Sequence, residues 1–251
     1  IHASRSADAK HVASASSLAL VLIAASIAAA MAASVFPKYL SGGLSLSPAI
    51  FDHTKVAIID EIKRHGVPPI NPFVSDDTQS GRLAYYYLWH FSAAQLAVLT
   101  KASGWTADAG LTWFTTVASL TGMMGLANWV AKSRTAAWLI LPLACAGSLR
   151  SAVDQMFGWN VELGLFGVRT GFSGWTFQAS WAPQHIAAAT VVLVAAFVLV
   201  NLIRTPSLFS SVLLGVLAAA AFESSTWIGG IVFPAAAIII GAVTLARSPP
   251  A

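Results

Sequence analysis

The chain has 251 residues, of which 57% are hydrophobic and only 10% are charged, whereas an average soluble domain is about 45–50% apolar and about 25% charged. This composition excludes an ordinary soluble domain and predicts an all-α, polytopic membrane protein with one integral-membrane domain over residues 1–251. The net charge is +4, but the basic side chains stand singly between apolar runs. We therefore expect the lipid bilayer, and no nucleic acid, as a partner.

Apolar runs that approach the roughly 20 residues needed to cross a bilayer recur along the chain. We expect a bundle of about seven transmembrane helices, at residues 17–36, 85–101, 110–131, 136–149, 186–203, 208–222 and 227–246. The first run is the clearest because it contains no charged residue. It exceeds the core of a usual secretory signal, which is about 7–15 residues long, so we expect a retained anchor.

A polar loop, residues 37–84, follows the first apolar run and contains a short helix pattern. Val56, Ile59 and Ile62 recur at a spacing of three among charged residues, which predicts an amphipathic helix lying at the membrane surface. Arg5 and Lys10 precede the first apolar run and favour a cytoplasmic N-terminus. The loop and its surface helix are therefore expected on the extracytoplasmic side.

A second polar loop, residues 150–184, is rich in aromatic residues, which favour the bilayer interface. Its side of the membrane stays open. Simple alternation of the predicted helices puts Lys132 and Arg134 outside, whereas the excess of basic residues in cytoplasmic loops puts them inside. Both loops carry polar residues that we regard as site candidates, because loops on a rigid scaffold commonly hold functional groups.

Four segments carry a resemblance to a known family. They are FDHTK at residues 51–55, GVPPINPF at 66–73, GRLAYYYLWH at 81–90 and WAPQH at 181–185. In this order they resemble the GT-C superfamily of integral-membrane glycosyltransferases, in particular its bacterial members related to protein mannosyltransferases and lipid A aminoarabinose transferases. The likeness covers about residues 16–205. Members are generally longer, so we expect this chain to be a fragment.

The resemblance implies an enzyme that transfers a hexosyl or pentosyl group from a polyprenyl-phosphate-linked donor to an extracytoplasmic acceptor at the bacterial inner membrane. In that family an acid in the first external loop acts on the acceptor or helps to hold a divalent metal. This position matches Asp52, which we expect to be catalytic, since a positioned carboxylate can take the proton of the acceptor hydroxyl. Many relatives have a second acid where this chain has His53. A metal at Asp52 and His53 is therefore possible but no firm metal is predicted.

The residues expected to contact substrate share a polar or cationic side chain near the predicted interface. They are His53, Lys55, Arg82, Tyr86, His90, Arg169 and His185. The three cations in this set can compensate the charge of the leaving phosphate. His90 is expected one turn inside a membrane helix, where an ionisable group usually faces a cavity or a partner.

Simpler interpretations stand beside these. Asp52 is also a good N-cap for the surface helix, and Asp60 and Glu61 are also typical of its solvated face. The three tyrosines at residues 85–87 are also typical of an interfacial aromatic belt, and Gln184 and His185 of an exposed helix entrance.

Two other functions remain open at this point. A transporter or flippase for a lipid or small solute also needs many membrane helices and buried polar groups, although the sequence lacks the paired broken helices of inverted repeats. A non-catalytic membrane subunit has the same composition.

Overall fold

The structure is a computed structural model that describes residues 2–40, 42–45, 49–74, 81–145 and 174–246. These residues are helical apart from connections and one small hairpin, which confirms the all-α class. The helices are α1 (His2–Ser34), α2 (Ala49–His65), α3 (Leu88–Thr100), α4 (Gly104–Ala131), α5 (Arg134–Cys145), α6 (Trp175–Trp181), α7 (Pro183–Arg204), α8 (Leu208–Ser224) and α9 (Phe233–Ala246). Strands β1 (Lys38–Leu40) and β2 (Gly43–Ser45) pair antiparallel, with Tyr39 opposite Leu44.

The described residues fall into two compact units. The first comprises Ile1–Pro37 and Thr112–Trp181. Its core lies where Ala24 of α1, Leu120 and Met124 of α4, and Leu141 of α5 are buried together. Two tryptophan side chains form hydrogen bonds between its helices. Trp113 Nε1 of α4 donates to the Ala25 carbonyl of α1 at 3.1 Å, and Trp175 Nε1 of α6 donates to Ser119 Oγ of α4 at 3.2 Å.

The second unit comprises Lys38–Leu111 and Ala182–Ala251. The helix predicted near residues 54–65 is present as α2. Its apolar face, centred on Ile58, Ile59 and Ile62, packs against Trp89 and Ala93 of α3. The apolar spacing of three and four residues that favours the helix thus also supplies its packing face.

Glycine ends α2 at the expected place. Gly66 has a φ of +76°, a left-handed conformation that costs glycine little because it has no Cβ. Its N–H donates to the Ile62 carbonyl at 2.9 Å. The following chain returns to α3 through a bridge between Ile70 and Arg82, so the two ends of the loop are held together.

Two described helical segments are long and apolar enough to cross a membrane, namely Ser17–Ser34 in α1 and Pro183–Arg204, which is α7. They correspond to the predicted segments 17–36 and 186–203. Only 17% of the residues in each apolar window are buried, a smaller share than is usual for the core helix of a soluble protein. Their exposed apolar surfaces favour a lipid environment.

The helices at other predicted membrane segments are shorter or less hydrophobic than these two. α3 begins at Leu88 and has 13 residues, which span about 20 Å at 1.5 Å per residue and so fall short of a 30 Å hydrocarbon core. α5 and α8 have 12 and 17 residues. α4 has 28 residues, but its threonines and serines lower the hydropathy of the run.

A π-helical turn, Ile228–Val232, joins the end of α8 to α9. Gly229 lies against the backbone of Phe222 and Ala221, and a Cβ at position 229 would overlap both. Ser225, at the C-terminus of α8, accepts the N–H of Ile228 at 3.2 Å. The glycine and the serine together allow this tight reversal.

Candidate functional site

Two helix beginnings bring polar side chains together in the second unit. α3 starts at Leu88 and carries His90 in its first turn, directly after the tyrosines. α7 starts with Pro183, whose missing N–H and fixed φ suit a first helical position. Gln184 and His185 follow at once. The first turn of α3 and the first turn of α7 therefore each carry a buried polar side chain, His90 and Gln184.

Hydrogen bonds connect the tyrosines to α7 and α8. The Tyr85 hydroxyl donates to Tyr86 Oη at 3.0 Å, and Tyr86 Oη lies 3.5 Å from His185 Nε2. On the other side of the imidazole, Nδ1 lies 2.8 Å from Ser225 Oγ. Tyr86 and His185 are 99 residues apart in the chain, so the fold alone makes them neighbours.

Two directions of donation fit these contacts. Ser225 Oγ accepts from Ile228 N–H, and it can either accept from His185 Nδ1–H or donate its own O–H to an unprotonated Nδ1. In the first case His185 Nε2 accepts from Tyr86, and in the second Nε2–H donates to Tyr86 Oη. Ser225 thereby orients the imidazole, much as a carbonyl or carboxylate orients a histidine in other sites.

His90 is almost completely buried, with 1% of its surface exposed. Its ring meets Trp89 edge-on at 5.4 Å between centroids and Tyr85 at 5.6 Å. Within the described part of the chain, His90 Nδ1 and Gln184 Oε1 are buried without a hydrogen-bond partner. Buried polar atoms are rarely left in this state, and each such case calls for an explanation.

Partial burial raises the pKa of the Tyr85 hydroxyl above its ordinary value, and the contact with Tyr86 adds to the rise. Tyr85 precedes α3 and lies outside the helices that suit a membrane. Tyrosine is protonated at neutral pH even with its ordinary pKa of about 10, and the hydroxyl donates to Tyr86 Oη.

A buried ion pair lies near these groups. Lys55 Nζ of α2 is 3.5 Å from Asp108 Oδ1 of α4, and the two side chains are 4% and 0% exposed. Lys55 is also within electrostatic reach of His90. An unpaired charge of this burial would be very unfavourable, so the pair fixes α2 to the beginning of α4.

The structure brings together some of the predicted site residues and not others. Tyr86, His90 and His185 meet, with Lys55 nearby. Arg82 is exposed and donates to the Pro68 carbonyl at 2.8 Å, so at least part of its guanidinium holds the loop. Asp52 and His53 belong to the beginning of α2, but their side chains lie outside the described residues, as does the whole of Arg169.

Sequence reasoning missed four members of the group. Asp108 lies just before a predicted membrane segment, and the signal that could have found it is that an acid beside an apolar run usually has a partner. Tyr85 and Gln184 were interpreted as interfacial. Ser225 had no detectable signal, since a serine at a helix end is common and only the fold places it beside His185.

Metal binding gains no geometric support from the described side chains, among which no group of three His, Cys, Asp or Glu is arranged to hold an ion. The possible site at Asp52 and His53 lies outside those side chains. It stays a prediction, and no chemical step is derived from it.

The fold and the site define an all-α chain with helices suited to a membrane and a buried polar group in its second unit. No family model and no solved structure matches the chain. It is similar to the uncharacterized protein y4nK of Sinorhizobium fredii, with 35% identity over 216 residues, which is 85% of this chain and 32% of that protein. The chain therefore spans about a third of the length of the curated relative it matches.

Proposed function

We propose that the chain is part of a membrane glycosyltransferase that moves a sugar from a polyprenyl-phosphate-linked donor to an extracytoplasmic acceptor. In this proposal about seven helical segments form the membrane bundle, and α2 lies at the extracytoplasmic surface between the first two. The donor lipid approaches laterally from the bilayer, and the protein belongs to the bacterial inner membrane.

One observation carries the proposal: two of the segments that resemble GT-C enzymes meet in space. Tyr86 comes from the segment at 81–90 and His185 from the segment at 181–185, and their side chains are 3.5 Å apart. Neither packing nor hydropathy alone requires that these two segments share a polar group. If the segments at 81–90 and 181–185 serve one function, their side chains are expected to lie in the same site.

The chemistry assigned to the site is acid–base and electrostatic. As the acceptor oxygen bonds to the anomeric carbon, its proton passes to a carboxylate, for which we propose Asp52. The phosphate leaves with the electron pair of the broken bond, and nearby cations compensate its charge. Because Lys55 forms an ion pair with Asp108, we propose that Arg82 and Arg169 compensate the charge of the leaving phosphate.

The test is sugar transfer from a radiolabelled polyprenyl-phosphate donor by membranes that carry the protein. We expect Asp52→Ala and Asp52→Asn each to reduce transfer by about a hundredfold or more, the usual contribution of a general base. Glu61→Gln is the matched control, because Glu61 lies on the same helix and pairs with Arg64 and His65 at the surface.

Transfer that both Asp52 variants retain would remove Asp52 from the mechanism. It would also not leave Asp52 as the expected N-cap, because α2 begins at Ala49 and Asp52 lies inside its first turn. Complete absence of transfer in the wild-type protein would contradict the enzyme and favour a transporter or a membrane subunit.

A further inference from the structure

A cleft in the first unit lies between α1, α4 and α5 and has a volume of about 200 Å³. Its body is lined by apolar side chains, namely Leu20 and Val21 of α1, Met124 of α4, and Ala137 and Trp138 of α5. The volume is several times the roughly 30 Å³ that one water molecule occupies in the liquid, and cavities with apolar walls take up apolar molecules instead of water. The body of the cleft therefore suits a hydrocarbon chain.

Polar side chains line one end of the cleft, which we call the mouth. Asn128 lies near the C-terminus of α4, and Arg134 is the first residue of α5. Both line the cleft and both are exposed. Thr121 lies about two turns deeper on α4, and its hydroxyl donates to the Val117 carbonyl at 2.7 Å. The amide of Asn128 and the guanidinium of Arg134 are thus the donors that a ligand meets at the mouth.

The mouth is positively charged. The described residues around the cleft include Arg134 and no acid, and no described carboxylate forms an ion pair with Arg134. A second hollow shares Asn128 and is bordered by Lys132. A guanidinium presents several N–H donors that match the oxygens of a phosphate group. The mouth therefore favours a phosphate over a neutral group.

The mouth lies at one end of a segment suited to a membrane. Trp113, near the start of α4, donates to the Ala25 carbonyl of α1. Asn128, near the end of α4, instead lines the cleft together with Ser17. The two helices are therefore antiparallel, and the mouth is level with the beginning of the apolar segment Ser17–Ser34. Lipid phosphates lie at this level, just outside the hydrocarbon core.

The cleft also indicates the side of the membrane on which Arg134 lies. Because Arg134 and Ser17 line the same cleft, Arg134 is on the side of the N-terminus. On the predicted orientation this side is cytoplasmic, in agreement with the usual excess of basic residues in cytoplasmic loops. Basic pockets between membrane helices on this side are typical sites for anionic lipid head groups.

We propose that this cleft binds an anionic phospholipid of the cytoplasmic leaflet, with its phosphate at Asn128 and Arg134 and one acyl chain in the apolar body. A phospholipid brings the charge and the chain in one molecule. The site is separate from the proposed glycosyl transfer, whose lipid donor has its phosphate at the opposite face of the membrane.

Gly125 allows the cleft to be filled without a clash. It lies inside α4 and lines the cleft, and a Cβ added at this position meets nothing within 4 Å. The side chain of Gly125→Leu therefore extends into the space that the acyl chain would occupy. Because leucine has a higher helix propensity than glycine, this variant is expected to keep the fold.

The experiment is native mass spectrometry of the detergent-purified protein, titrated with dioleoylphosphatidylglycerol and with dioleoylphosphatidylcholine, which has the same chains but no net charge. We expect phosphatidylglycerol to bind about fivefold more tightly, the usual contribution of one basic residue. Arg134→Gln should remove this preference. Gly125→Leu should weaken phosphatidylglycerol binding by about fivefold or more, the equivalent of overpacking a filled site.

Two matched controls should bind phosphatidylglycerol as the wild-type protein does. Arg204→Gln removes an exposed arginine at the end of α7, and Gly215→Leu adds a side chain in open space on α8. Thermal unfolding separates binding from folding. Without lipid, Arg134→Gln should melt as the wild-type protein does, because Arg134 is exposed, whereas phosphatidylglycerol should raise its melting temperature less.

Three outcomes would overturn the site. They are equal affinity for the two phospholipids, equal loss of binding in Arg134→Gln and Arg204→Gln, and tighter binding of undecaprenyl phosphate than of phosphatidylglycerol, which would assign the cleft to a polyprenyl lipid. Since the titration involves no sugar transfer, these outcomes are independent of whether the proposed enzyme activity exists.

Discussion

Lys55 and Asp108 show how a single buried pair changes the role of a predicted residue. Lys55 was predicted to contact substrate because it is a cation in a polar loop. In the structure its ammonium faces Asp108, and both side chains are almost fully buried. Lys55 lies in α2, and the sequence pattern could not show that an acid 53 positions later would reach it.

Removing one member of this pair should cost more stability than removing both. Asp108→Leu or Lys55→Met alone should lower the free energy of unfolding by about 3–5 kcal/mol, since each leaves its partner as an uncompensated buried charge. The double variant Lys55→Met with Asp108→Leu should recover most of this loss, because well-packed apolar residues can replace a buried ion pair. Denaturant unfolding in detergent micelles measures all three.

The surface pair of Glu61 with Arg64 is the control for that comparison. The Arg64 side chain is 63% exposed, so Glu61→Gln should change stability by no more than about 1 kcal/mol. Losses from Lys55→Met and Asp108→Leu that simply add in the double variant would show that the two side chains do not depend on each other.

At the scale of elements, α2 is fixed to the corner between α3 and α4. Asp60 lies against Gly104 at the start of α4, where a Cβ would approach its Oδ1 to 2.6 Å. Lys63 Nζ donates to the Ala102 carbonyl, just after α3, at 3.1 Å. An acid at a helix N-terminus and a cation near a helix C-terminus both complement the helix dipole.

The amphipathic pattern predicted the existence of α2 and its apolar face. It assigned this face to the membrane surface, whereas the structure packs it against α3. Asp60 was predicted on a solvated face because charged residues at helix surfaces usually are. The structure instead places it against the start of α4. Helix ends in neighbouring elements are invisible to a pattern within one helix, which explains why this contact was not foreseen.

The π-helical turn before α9 should depend on the absence of a side chain at Gly229. A Cβ there would overlap the backbone of Phe222, and backbone cannot move aside as a flexible side chain can. Gly229→Ala should therefore lower stability by about 1–3 kcal/mol, the usual cost of overpacking, and disturb Ser225 beside His185. Thermal unfolding and sugar transfer measure the two effects.

Gly215 offers a matched control because it lies inside α8 with nothing within 4 Å of an added Cβ. Gly215→Ala should be neutral or stabilise the helix by up to about 1 kcal/mol. Equal behaviour of the two Gly→Ala variants would contradict the close packing of the turn.

At the scale of the whole molecule, hydropathy located the two helical segments that suit a membrane. The bounds of α7 and the C-terminal end of α1 agree with the predicted ones within three residues, because a long apolar run leaves little choice of structure. The helix α1 begins at His2, fifteen residues before the predicted segment. The seven-helix bundle stays a prediction, since α3, α5 and α8 are shorter than a full span. The meeting of Tyr86 with His185 depends on tertiary folding, which no local pattern encodes.

The predicted orientation can be tested with cysteine labelling, because the chain contains one cysteine, Cys145. In a Cys145→Ser background, Val74→Cys should react with a membrane-impermeant maleimide in intact cells, since Val74 is exposed and its loop is predicted outside. Ser6→Cys should react only after permeabilisation. The reverse pattern would place the loop and the proposed site in the cytoplasm.

The central claim is that the two family-like segments form one sugar-transferring site around Tyr86 and His185. It is tested most directly by transfer from a radiolabelled polyprenyl-phosphate donor with Tyr86→Phe and His185→Ala, beside His65→Ala at the exposed end of α2. We predict that the first two variants lose about tenfold or more of the transfer rate, which corresponds to about 1.4 kcal/mol or more of the barrier, while His65→Ala keeps it. Equal transfer by all three variants would contradict the claim.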